Sequence, residues 1–218
     1  MISEATGVRA LIDSNAREAA DLVGELMLLL DRASTEPQSL DVARMATRRL
    51  SDRLGQVVML ERFGRPGAIR SDAWSPVELL EELVHEAGSL AARRIGIDVQ
   101  VPEVVPQYWF FDRELVSMAL HNALHTALIH AASGVMLELR MEDGYLGFGI
   151  LDDIGAFPAE LVTETDGSPE RGECNGNALG IHFARLVAAG HACGSRRGRV
   201  QLANRGDGAG TSFTLWLP

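Results

Sequence analysis

The sequence is 218 residues long, 46% hydrophobic, 23% charged and 6% aromatic. Those proportions are ordinary for a folded domain and exclude a disordered tail, a collagen-like repeat and a disulfide-stapled miniprotein. The formal net charge of −10 argues against nucleic-acid binding through phosphates. Arginines nevertheless cluster at Arg44, Arg48, Arg49 and Arg53, and again at Arg196, Arg197 and Arg199. Either solvated surface or a patch for an acidic partner accounts for them. Cys174 and Cys193 have no CxxC or Cys/His metal spacing, so a reducing compartment is the expectation. The first residues show no basic leader with an apolar core. The most apolar stretch, Leu22 to Leu30, carries Glu25 and is far shorter than the roughly 20 residues that span a bilayer. A soluble cytoplasmic protein without membrane insertion is therefore expected.

The first 65 residues read as helical. Leu11, Ala16, Ala19, Val23, Leu26 and Leu30 recur three to five apart as one stripe, and Pro37 breaks it. A second stripe follows through Leu40, Ala43, Leu50, Leu54, Val57 and Met59. Two such helices form an antiparallel hairpin over 8–63, and its spare apolar surface favours pairing two copies into a four-helix bundle. Packing on the rest of the chain is the competing use of that surface. Residues 66–74, with Pro66 and Gly67, read as a linker. Ser75, Pro76 and Glu78 then form a capping box with proline at the first helical position. The helix they open is followed by a strand at IDVQVP and a bend around Pro102 and Pro106.

From Asp112 a strong helix presents Leu115, Ala119, Leu120, Ala123, Leu124, Ala127 and Leu128. Two alternating runs around Asp143-Gly144 predict a hairpin. ALGIHFARLVAAGHA predicts another helix, and RVQLAN and TSFTLWLP close the chain as a second hairpin. Residues 75–218 thus run helix, strand, helix, two strands, helix, two strands. That order fits helices on one face of a mixed sheet, an α+β domain behind a helical hairpin.

Four motifs on these elements carry a resemblance. Leu120-His121-Asn122-Ala123-Leu124-His125-Thr126-Ala127-Leu128-Ile129-His130 resembles the pattern L-x-N-L-L-x-N-A-x-K-H. Asp153-Ile154-Gly155-Ala156-Phe157-Pro158 resembles D-x-G-x-G-I-P, and Gly176-Asn177-Ala178-Leu179-Gly180-Ile181 resembles G-x-G-L-G-L. Gly210-Thr211-Ser212-Phe213, with Leu217-Pro218, resembles a closing G-T-x-F-x-x-x-L-P. In this order they resemble the catalytic region of bacterial sensor histidine kinases: a dimerising helical hairpin and an ATP-binding α/β sandwich of the type shared with gyrase. The resemblance implies a hairpin over 1–65, a linker over 66–74 and a kinase-like ATPase domain over 75–218. It also implies a nucleotide pocket built on Asn122, Asp153, Gly155, Gly176, Gly180 and Thr211, with Asp153 accepting from the adenine amino group.

The departures from the pattern bear on activity. Thr126 stands where the family's second asparagine helps hold magnesium, and Ile129 where it has a basic residue near the phosphates. The first glycine box counts one residue short, and Ala178 replaces a glycine in the second. Hydrogen bonds to charged groups contribute about 1.5–3 kcal/mol each, so losing two phosphate contacts weakens nucleotide binding by about 10²–10⁴-fold. Weak adenine binding survives that loss; efficient magnesium-ATP chemistry does not. The phosphoacceptor is also missing, because Ser14 falls on the family's histidine position and residues 1–84 contain no histidine.

No catalytic residue and no metal site are assigned. His121 and His125 are one turn apart without a third ligand, His130 is expected to pack, and Asp152 and Asp153 should point to opposite faces of a strand. The leading expectation is a homodimeric, inactive kinase-like regulator whose partner is a response regulator or sensor kinase. Two other readings stand beside it: a divergent ATP-binding kinase or ATPase acting on a partner in trans, and a scaffold whose pocket is filled by side chains such as Phe157.

Overall fold

The computed structural model describes residues 67–90, 95–153, 155–159, 162, 176–206 and 210–218, with isolated helical positions between 16 and 55. The expected hairpin over 8–63, with Ser14, and most of the segment 159–175 lie outside the described residues. Ala16, Ala19, Leu22 and Leu50 are among the isolated positions, all helical, and Ala19 and Leu22 are buried. The chain divides into two units, Met1–Ala68 with Glu173–Leu179, and Ile69–Gly172 with Gly180–Pro218. No described helix is long and apolar enough to cross a membrane.

The larger unit is a mixed sheet with helices against it. Its strands are β1 (Asp72–Trp74), β2 (Gly96–Gln100), β3 (Trp109–Phe111), β4 (Gly134–Glu142), β5 (Tyr145–Asp152), β6 (Ala192–Cys193), β7 (Arg196–Arg197), β8 (Arg199–Asn204) and β9 (Thr211–Leu217). The helices are α1 (Pro76–Leu90), α2 (Arg113–His130) and α3 (Gly176–Gly190), of which the part from Gly180 belongs to this unit. Five strands form the main sheet in the order β2-β4-β5-β9-β8. Only β2 and β4 run parallel; the other neighbours are antiparallel. The hairpin expected at Asp143-Gly144 is present, with both residues at positive φ, 49° and 76°, as its two-residue turn requires.

The expected elements and the observed ones differ in short pieces. Three residues of the expected linker, Asp72 to Trp74, pair with Trp109 to Phe111. The small hairpin β6–β7 was not expected either, and α3 begins two residues earlier than its periodicity suggests. Such three- and two-residue strands are too short for alternation to register.

The core is what the helical and strand periods placed inward. Leu79, Leu80, Leu83 and Ala87 of α1 and Leu115, Val116, Ala119, Leu120, Leu124, Ala127 and Leu128 of α2 are buried. They meet a sheet lined by Leu137, Leu146, Phe148, Ile150 and Leu215. Phe111 stands edge-on to Phe148 with ring centres 6.0 Å apart, the arrangement aromatic quadrupoles favour. Ser75 caps α1 through the N–H of Glu78 at 3.3 Å, and Asp112 caps α2 through the N–H of Leu115 at 3.2 Å. Alanine at either cap typically costs about 1 kcal/mol.

A buried node ties α2 to α3. The N–H of Asp112 donates to Nε2 of His191 at 2.9 Å, and Nδ1 of His191 donates to the carbonyl of Val187 at 2.7 Å. With Nε2 accepting, the ring is the neutral Nδ1–H tautomer. Burial holds its pKa below the ordinary 6.5, against the opposing pull of the Val187 carbonyl and the Asp112 carboxylate. That carboxylate also accepts from the N–H of Arg70 at 2.7 Å. Nearer the start of α3, Gly180 packs against the Asn122 side chain so closely that a Cβ there would overlap the amide.

Two measurements check this packing. The unfolded chain takes up the His191 proton near pH 6.5 while the folded chain resists it. Stability from this node is therefore complete above that pH and declines as pH falls below it. Urea unfolding between about pH 8 and about pH 5 should show a falling midpoint whose slope shrinks in His191→Gln; an unchanged slope contradicts the node. In a double-mutant cycle, Gly180→Ala and Asn122→Ala should couple by at least about 1 kcal/mol. Strictly additive effects would show that the two residues do not touch.

Candidate functional site

The ladder between β5 and β9 ends at Leu151 opposite Ser212. Beyond it a side chain takes over. The N–H of Thr211 donates to Oδ1 of Asp152 at 2.9 Å, and the Thr211 hydroxyl donates to Oδ2 at 2.6 Å. Both residues are buried. Charge-assisted pairs of this kind are about twice as strong as neutral ones. Gly210, at φ 117°, lies against the Asp152 carbonyl so closely that any Cβ would overlap it. Glycine is thus required both by the torsion and by the contact.

The loop that follows β5 is clipped to the same place. Asn204, directly opposite Thr211 in the β8–β9 ladder, accepts from the N–H of Phe157 at 2.7 Å and donates to its carbonyl at 3.0 Å. Gly155, at φ 106°, faces the Thr211 methyl, which lies 4.0 Å from where a Cβ would stand. Phe157 itself is half-exposed. Asp152, Gly155, Phe157, Asn204 and Thr211 therefore gather at one end of the central strands.

Asp153, expected to face adenine, is engaged elsewhere. Its carboxylate accepts from the Ser133 hydroxyl and from the N–H groups of Ala132, Ser133 and Gly134, at 2.5 to 3.1 Å. The Ser133 hydroxyl first, then those three N–H groups, holds its pKa down to about 2. Asp153 thus fastens the turn between α2 and β4, and the expectation that adjacent aspartates diverge holds. Counting D-x-G-x-G-I-P from Asp152 instead brings Phe157 and Pro158 onto the last two positions with no residue missing. Asn204 and Asp152 are the two site residues that the motifs alone did not indicate.

On α2, the Nδ2 atom of Asn122 is buried beside Gly180 and has no hydrogen-bond partner among the described residues. A buried donor left unpaired costs about 1–3 kcal/mol, so this amide is suited to an added acceptor. One turn on, the Thr126 hydroxyl donates to the Asn122 carbonyl at 2.9 Å. Ile129 and His130 are exposed at the end of the helix, which corrects the packed position expected for His130. His121 places Nδ1 2.7 Å from the Ser117 carbonyl. Among the described residues, no three acidic, histidine or cysteine side chains lie close enough to hold a metal ion. Gly176 is in the first turn of α3, and the side chain of Ala178 lies outside the described residues. The open hollow beside Glu78, Glu81, Glu82 and His85 is on α1, a different element from those holding Asp152 and Thr211.

The donor set fits the base end of an adenine nucleotide, with a carboxylate and a hydroxyl side by side and an unpaired amide on α2. For a magnesium ion the set is poorer: Ile129 supplies no ligand, and Thr126 supplies a hydroxyl whose proton is bonded to its own helix.

No protein-family model matches the sequence, and no curated protein is similar to it. Solved structures are similar in fold. The nucleotide-free catalytic domain of the histidine kinase ThkA aligns at TM-score 0.55 and 16% identity, over 68% of this chain and 97% of that one. Histidine kinase AdeS of Acinetobacter baumannii aligns at TM-score 0.59 and 11% identity, over 90% and 94%. ThkA in complex with the response regulator TrrA aligns at TM-score 0.58 and 14% identity, over 93% of this chain and 59% of that one. With the strand order and the four motifs in place, this chain has the fold of the catalytic region of a sensor histidine kinase.

Proposed function

We propose that this protein is a kinase-like regulator in two-component-type signalling that does not itself transfer phosphate. It acts as a homodimer through its first 65 residues and engages a response regulator or a sensor kinase. The observation that carries the loss of activity is the Thr126 hydroxyl, which is bonded to the Asn122 carbonyl of its own helix. A hydroxyl held against its own helix is a shorter and poorer metal ligand than the amide oxygen of an asparagine. The absence of any histidine from residues 1–84 supports the same reading. The partner class is supported by ThkA, a protein of the same fold whose structure holds a response regulator.

The adenine end is a separate matter. Asp152 and Thr211, rather than Asp153, are the proposed base-binding pair, with Gly155 beside Thr211 and, on α2, Asn122 against Gly180. On this proposal, adenine binding persists weakly and independently of magnesium.

Incubation with γ-labelled ATP and Mg²⁺ or Mn²⁺ should leave the protein and added response regulators unlabelled. Addition to a working kinase–regulator pair should change the rate of phosphotransfer between them. Metal-dependent label on a regulator, abolished by Asp152→Ala, would instead establish a kinase acting in trans. Thr126→Asn should bring about a tenfold gain in magnesium-dependent affinity for ATP, one charge-assisted contact. No gain would show that the block lies elsewhere.

A further inference from the structure

The arginines at 196, 197 and 199 play no part in the site above. They lie at the far end of the sheet: Tyr145 opens β5 and Asp152 closes it, roughly 23 Å apart at about 3.3 Å per residue. All three arginines are exposed. Arg199 is stacked on two rings, 4.6 Å from the centre of Tyr145 and 5.3 Å from that of Trp216. Arg196 stands 5.6 Å from the same Tyr145 ring and donates to the Gly144 carbonyl at 3.2 Å. Two guanidinium groups are thus held around one ring, and Arg197, the next residue of β7, is exposed beside them in the chain.

This arrangement lacks its anion. Glu142 and Asp143 share the neighbouring turn, yet no carboxylate among the described residues pairs with any of the three arginines. Holding like charges together is unfavourable unless a counter-charge joins them. Contact with aromatic faces holds Arg196 and Arg199 in place while leaving guanidinium N–H groups for a carboxylate.

We propose that Arg196, Arg197 and Arg199 form a docking ledge for a short acidic segment of a partner protein. Length selects the occupant. The ledge is three charges wide on a chain of net charge −10, and charges interact over a screening length of about 8–10 Å. A nucleic acid or an anionic bilayer extends past the ledge and meets repulsion, whereas a short acidic segment does not. This docking is independent of whether nucleotide binds at the other end.

Fluorescence anisotropy with a labelled oligoglutamate peptide tests the ledge in the full chain. Binding should appear at low salt and weaken about tenfold when Arg196, Arg197 and Arg199 are all replaced by alanine. Because Arg199 packs on Trp216, the single change Arg197→Glu, which disturbs no ring contact, provides the second variant; it should weaken binding at least threefold. Equal binding by Arg197→Glu and the parent would overturn the proposal. So would tighter binding of single-stranded DNA or phosphatidylserine vesicles than of the peptide.

Discussion

The bond pair from Thr211 to Asp152 joins architecture to chemistry. It sits where the β5–β9 ladder stops, so a carboxylate replaces the backbone carbonyl that the next rung would have used. Because the same carboxylate also receives the Thr211 hydroxyl, its position is fixed from two directions. Gly210 must be a glycine for the strand to approach this closely, and Asn204, one strand further, fastens the loop at Phe157. Removing the carboxylate would thus release the end of the sheet and the site together. The pair is a buried structural clamp at the end of the two central strands.

Much of this was legible in the sequence because local rules agreed with the fold. Ser75-Pro76 and Glu78 signalled the start of α1, Asp112 that of α2, and Asp143-Gly144 the central hairpin; each acts through neighbours in the chain. The aspartate that bonds Thr211 is not the one the motif count picked, and the reason is physical. A glycine two residues on favoured Asp153, whereas strand parity favoured Asp152, which follows Leu146, Phe148 and Ile150 on the buried face. Period-two alternation was the better signal, since a shift of one residue turns every side chain over. Nothing local could have revealed Asn204 or His191, whose partners lie 47 and 79 residues away.

The two ends of the sheet have become different surfaces. At one, Asp152 and Thr211 form a buried polar pair, and α2 carries Thr126 and Ile129. At the other, Tyr145 and Trp216 hold arginines that no carboxylate among the described residues pairs with. A fold of this kind is a rigid scaffold on which binding surfaces can stand with or without catalysis. The His191 node ties α2 to α3 within that scaffold.

Calorimetric titration with adenosine and with a non-hydrolysable ATP analogue, each with and without Mg²⁺, tests the central claim most directly. The account predicts that both bind weakly, that magnesium leaves the analogue's affinity unchanged, and that Asp152→Ala removes both signals while Asp153→Asn keeps them. Tight, magnesium-dependent binding of the analogue would contradict it and return the protein to the working kinases.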